Sequence, residues 1–218
     1  MITDAASRNI DVHVHALGER AIHETLNAIE AAQASEPDSE TRYTICHVQV
    51  ITDQDVERFG ELGVIAQSTP LWASYDTYGE QFVSADQFQR FWRYNSVEDA
   101  GARLTFGSDF PASCAGTLGL SPVVLIVMGH TRQEYGDPDA PIQPRESERL
   151  SIESLVRGFT IDAAYQLHME DQIGSIEVGK KADMVALNQD IFDVDPYAIH
   201  TTEVVLTLMD GRVVYDSR

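Results

Sequence analysis

Three side chains able to do chemistry recur along this sequence at close to a fixed interval, and that interval restricts what the chain can fold into. From His15 to His47 is 32 residues, and from His47 to Asp109 is 62, close to two steps of 31. A parallel strand–helix–strand unit takes about 30 residues or more per step. The intervening patterns agree. Residues 9–17 alternate and are rich in strand formers, Gly18 interrupts them, and Ile22, Leu26 and Ile29 then recur at helical spacing. Residues 43–50 read as a second strand carrying His47, and Thr52 reads as the cap of a helix that runs to about Leu62. Residues 63–68 form a third strand and 84–100 a helix, before a fourth strand, 103–107, runs into Ser108-Asp109-Phe110-Pro111. His15, His47 and Asp109 thus sit near the C-terminal ends of strands one, two and four of a parallel series, the end at which catalytic groups converge in (β/α) barrels.

His13 and His15 lie two apart on the first strand and share a face. A metal pair and a pair of packed imidazoles both fit that spacing. Three further histidines read as structural: His23 faces solvent, His130 sits near a helix end and His168 is solvated. The loop 69–83, with Pro70, Trp72, Tyr75 and Tyr78, fits either a functional loop or a surface loop pinned by its aromatics.

Downstream, residues 121–132 read as a helix capped by Ser121 with Pro122 first, and a second helix runs from Ser151 to about Met169. Beyond residue 172 the period becomes that of strands: Met184 to Leu187, then a hairpin whose Asp210-Gly211 pair suits a two-residue turn. Residues 1–170 are therefore expected to form the (β/α) part and 171–218 an appended β element.

Charge and composition exclude several roles. With 35 acidic against 15 basic residues the net charge is −20, which would repel nucleic-acid phosphates. Lysine occurs only at 180 and 181, an acidic, lysine-poor surface suited to a salty, halophile-type cytosol. No apolar run approaches the roughly 18–20 residues of a membrane span, and the first residues lack a signal-peptide plan, so a cytoplasmic protein without membrane contact is expected. Cys46 and Cys114 make no CxxC pair and read as ordinary buried thiols.

Taken together, four motifs resemble the metal-dependent amidohydrolase superfamily, specifically amidohydrolase family 3, its N-substituted formamide deformylase-like branch. They are His15-Ala16-Leu17-Gly18-Glu19-Arg20-Ala21, His47-Val48-Gln49, Gly107-Ser108-Asp109-Phe110-Pro111 and Gly174-Ser175-Ile176-Glu177-Val178-Gly179-Lys180-Lys181-Ala182-Asp183. The resemblance implies that His15 and His47 ligate a divalent metal, zinc foremost. Asp109 would bind the metal or its water and act catalytically as proton shuttle, so that the C–N bond of a small amide or N-acyl substrate is hydrolysed. His13 then becomes an interior packing residue one layer below His15. A non-catalytic remnant or interaction module that keeps the fold is the alternative.

The same resemblance implies an architecture. Glu19 stands where the family has aspartate. The family's first-strand His-x-His pair, strand-four ligand and first half of its small β-sandwich have no counterpart, and a whole barrel needs about 250 residues. The expectation is α/β, the C-terminal half of a TIM-type (β/α)8 barrel, strands five to eight, plus C-terminal strands of a small β-sandwich. Such a fragment would have its open edges covered by a homo-oligomer or by a missing N-terminal half.

Overall fold

Alternation along the first strand sorts its side chains between a helix and an open face. After a short helix, α1 (Ile2–Ala6), strand β1 (Val12–Ala16) turns Val12, Val14 and Ala16 toward α2 (Glu19–Ser35). Helix α2 meets them with Ile22, Leu26 and Ile29, none of which keeps exposed surface, at about 1.5–3 kcal/mol of burial apiece. The computed structural model describes residues 1–113 and 115–218, so the expectation for Cys114 lies outside the described residues.

Strand β2 (Tyr43–His47) pairs in parallel with β1, α3 (Asp53–Glu61) carries the chain back, and β3 (Ile65–Ser68) pairs with β2. Thr52 caps α3 as its sequence predicts, its hydroxyl accepting the Asp55 amide at 3.2 Å. Two 3-10 turns, Pro70–Ala73 and Gly79–Phe82, shape the long loop before α4 (Ala85–Phe88), α5 (Tyr94–Asp99) and β4 (Leu104–Phe106). The sheet order is β1-β2-β3-β4, all parallel.

The expected single helix over residues 84–100 is broken between α4 and α5 by contacts from elsewhere in the chain. Trp92 adopts φ +54°, its amide donates to the Gln49 carbonyl at 2.9 Å, and its own carbonyl accepts from the buried Arg132 guanidinium at 2.9 Å. Local periodicity carries no record of either partner.

Beyond β4 the chain forms α6 (Pro122–Thr131), α7 (Ile152–Phe159) and α8 (Ile161–Gln166). Pro122 opens α6 as expected, although the Ser121 side chain makes no capping bond. The helix expected from Ser151 to Met169 divides at Thr160, whose φ −124° and ψ −96° are not helical. Helix α6 approaches the rest closely at Gly129, where a Cβ would come within 2.6 Å of Leu155 and 3.1 Å of Pro70.

At the N-terminal end of the sheet, the guanidinium groups of Arg42 and Arg103 lie 3.7 and 4.1 Å from the centre of the Tyr165 ring of α8. Arg42 also grips Glu170 at 2.5 and 3.1 Å, and this bond holds the Glu170 carboxyl below its usual 4.5. The native value being the lower one, the stabilisation is full above about pH 4.5 and is lost as pH falls through the native value. Glu170→Gln is therefore expected to cost about 1 kcal/mol at neutral pH and less at about pH 3. Urea unfolding at the two pH values checks this, and an equal loss at both would sink it.

The last three strands, β5 (Met184–Leu187), β6 (Val204–Met209) and β7 (Arg212–Asp216), form an antiparallel sheet in the order β5-β6-β7. Asp210 and Gly211 make the β6–β7 turn with φ +50° and +75°, as that dipeptide predicts.

This architecture corrects the expected half-barrel with a separate sandwich. Helices accompany a consecutively ordered parallel sheet along the chain, giving one (β/α)-rich fold, and the tail forms one open three-stranded sheet. The physical reason lies in local connectivity: each strand is returned beside its predecessor by helical crossovers, and the tail strands find their partners through short antiparallel connections. Among the described residues no helix is long and apolar enough to cross a membrane.

Candidate metal centre

The register between β1 and β2 sets His15 opposite Cys46 and Ala16 opposite His47. Paired residues of parallel strands share a face, so His15 and the Cys46 thiol point the same way, with Gln67 and Thr105 continuing the row on β3 and β4. Simple alternation would send His47 to the other face. Instead the strand ends in two consecutive residues of positive φ, His47 at +74° and Val48 at +51°.

Hydrogen bonds hold that reversal. The Val48 amide donates to the Ala16 carbonyl at 3.2 Å and the Val50 amide to the Leu17 carbonyl at 2.9 Å. The Ser68 hydroxyl donates to the His47 carbonyl at 3.0 Å and meets the Tyr94 hydroxyl at 2.5 Å. As a result the His15 and His47 rings stand edge to face, centroids 4.3 Å apart at 71°. One donor atom each from His15, Cys46 and His47 falls in a group no more than 4.8 Å across.

Electrostatics within the group favour uncharged imidazole. Burial lowers the pKa of His47, and His15 beside it acts in the same direction against a smaller opposing pull from Asp109. Burial raises the Cys46 thiol, 8% exposed, and Asp109 adds to the rise. Asp109 itself follows β4 at φ +50°, its carbonyl accepting the Ser113 amide at 2.8 Å. Its charge is felt by His47 and Cys46, yet it lies outside the three-residue group.

Two imidazoles and a thiol are donors that suit zinc and neighbouring transition ions, so the side chains present fit a divalent metal of that kind. Of the expected residues, the fold brings His15 and His47 together and sets Asp109 near them. Cys46 is buried, as expected of an ordinary thiol, and the fold also places it in the group with the two histidines, a grouping not anticipated from the sequence. The signal was present in the spacing, since a strand step of 31 from His15 lands on Cys46 and a step of 32 on His47.

The other histidines divide. His13 is exposed rather than interior: β1 is an edge strand, and the residue paired with His13 is the small Thr44. His23, expected in solvent, bonds the buried Asp55 at 2.9 Å. His130 Nδ1 lies 2.7 Å from the Leu150 carbonyl, the structural role expected of it, and the half-exposed His168 pairs with Asp11 at 2.9 Å. In the long loop, Trp72, Tyr75 and Tyr78 line an open cavity of about 440 Å³ with Leu118 and Tyr135.

The likeness to known proteins follows the same residues. The amidohydrolase family matches residues 1–215. N-substituted formamide deformylase of Arthrobacter pascens is 26% identical over 216 residues, 97% of this chain and 38% of that protein. Imidazolonepropionase of Bacteroides thetaiotaomicron is 28% identical over 169 residues, 77% of this chain and 33% of that protein. The chain thus spans about two fifths or less of the length of these curated relatives. Among solved structures, an uncharacterized metal-dependent hydrolase of Pyrococcus horikoshii OT3 superposes with a TM-score of 0.69 at 21% identity, over 87% of this chain and 36% of its own. An amidohydrolase of Thermotoga maritima MSB8 gives 0.63 at 20% identity, over 98% and 45%. The resemblance runs along nearly the whole of this chain, which corrects the expectation of a match confined to a C-terminal half. By the match over residues 1–215, the chain belongs to the amidohydrolase family.

Proposed function

We propose that the chain is a metal-dependent amidohydrolase acting on the C–N bond of a small amide or N-acyl compound. One observation carries this reading: the positive-φ reversal at His47 turns its imidazole onto that of His15 at the C-terminal ends of adjacent parallel strands, beside Asp109. The name of the Arthrobacter relative, a deformylase of N-substituted formamides, favours a carbon–nitrogen bond as the one broken.

In this reading His15 and His47 hold the ion through neutral imidazole nitrogens, and the lowered pKa of His47 keeps that form available at neutral pH. A bound divalent ion, zinc by the donor set, supplies Lewis acidity that lowers the pKa of water and polarises a carbonyl. Asp109, which also serves as a ligand to the ion or to its water, takes a proton from the attacking water and hands it to the leaving nitrogen. The residues concerned all fall within 1–170, which we take as the hydrolase part, with 171–218 as an appended β element.

The test is to strip the chain with chelator, titrate it with zinc by calorimetry and assay N-formyl and N-acyl amines. Binding of about one ion per chain with zinc-dependent release of amine is expected. Neither binding nor turnover in excess zinc would overturn the reading in favour of a module that keeps the fold without the chemistry.

A further inference from the structure

Cys46 is the one member of the three-residue group to which the reading above gives no task. Its sulfur lies in one group with the ring nitrogens of His15 and His47. It is buried, 8% exposed, yet is not part of the contiguous cluster of apolar side chains that takes in its neighbours Ile45 and Val48. It faces the polar side of the sheet, in register with His15 on one side and Gln67 on the other. Among the described residues it has no disulfide partner.

We propose that Cys46 is a metal ligand, so that the chain holds its ion with two imidazoles and one thiolate and selects a thiophilic cation such as zinc or cobalt(II) over magnesium. The proposal rests on the metal reading of His15 and His47 and adds a donor to it. Zinc–nitrogen and zinc–sulfur bonds of about 2.0–2.3 Å put tetrahedral donors roughly 3.5 Å apart, and small side-chain rotations bring a group at most 4.8 Å across to that size. With Asp109 holding the ion's water, these three protein donors leave a fourth position for that water or for substrate, the pattern of catalytic rather than structural zinc. As the sulfur–metal bond forms, the thiol proton passes to solvent, so loading releases one proton more than imidazole ligation alone. Hard cations such as magnesium prefer oxygen donors and gain little from this set.

Cobalt(II) reports the bond directly. The stripped chain loaded with cobalt is expected to show a near-ultraviolet thiolate-to-cobalt charge-transfer band. Cys46→Ser should abolish the band while visible cobalt absorption persists through the histidines, and Cys114→Ser should keep it. Zinc affinity should fall at least about 10-fold in Cys46→Ser, since even outer-shell changes weaken metal sites by that much. X-ray absorption of the zinc-loaded wild type, which needs no variant, should show a sulfur neighbour at about 2.3 Å. Cobalt bound without the band, or no sulfur neighbour to zinc, would overturn the Cys46 proposal and leave the histidine reading standing. A wild-type chain that binds neither ion would overturn both.

Discussion

Asp109→Asn is expected to leave zinc bound and to lower amide hydrolysis by about 10³-fold, whereas His47→Ala is expected to lose the ion itself. The two changes act on different links of the same site. Asparagine keeps the size and hydrogen-bonding reach of aspartate but cannot take a proton from water or return it to nitrogen, and positioned acid–base groups contribute roughly 10²–10⁴ in rate. Asp109 lies outside the group formed by His15, Cys46 and His47, so its loss leaves those donors in place. Alanine at 47 removes an imidazole that the backbone reversal, φ +74°, is built to deliver. Metal content by mass spectrometry and turnover at saturating zinc, measured together, separate the outcomes. Full turnover in Asp109→Asn would remove it from proton transfer, and unchanged zinc affinity in His47→Ala would remove His47 from the ion.

Arg132→Met is expected to destabilise the fold by about 3–5 kcal/mol, the largest loss of stability from any single replacement considered. The Arg132 side chain has no exposed surface. Its guanidinium donates to the carbonyls of Trp92 at 2.9 Å, Pro144 at 3.1 Å, Phe91 at 3.3 Å and Gln143 at 3.4 Å. Burial pushes its pKa down to about 10, with Tyr94 and Glu148 pulling the other way. Methionine fills a similar volume but offers no donor, so four carbonyls in the α4–α5 link and the segment after α6 lose their partner. For a chain of this size the loss corresponds to a drop in Tm of roughly 10 °C. Thermal and urea unfolding read it, and a change below about 1 kcal/mol would show that water replaces the guanidinium at those carbonyls.

The same arginine illustrates why part of the fold was illegible. Residues 84–100 carry helical periodicity, and the helix fails where Phe91 and Trp92 hand their carbonyls to Arg132, some 40 positions further on. The division at Thr160 likewise interrupts a segment whose own pattern is continuous. By contrast Thr52, Pro122 and Asp210-Gly211 act through their own backbone neighbours, and each does in the structure what its position predicts.

For the site, the sequence by itself determined the periodic series of strands and helices, the presence of His15, His47 and Asp109 at strand ends, and the strongly acidic composition. Spacing and side-chain chemistry are local or additive properties, and a chain carries them whether folded or not. Only the tertiary structure decided that the His-bearing strand pairs so that His15 meets Cys46, and that His13 lies open on an edge strand. It alone turned His47 back toward both by reversing the backbone at 47 and 48. The physical reason is that a one-residue choice of register or a single positive φ moves a side chain from one face of a sheet to the other, and both are set by hydrogen bonds to strands remote in sequence.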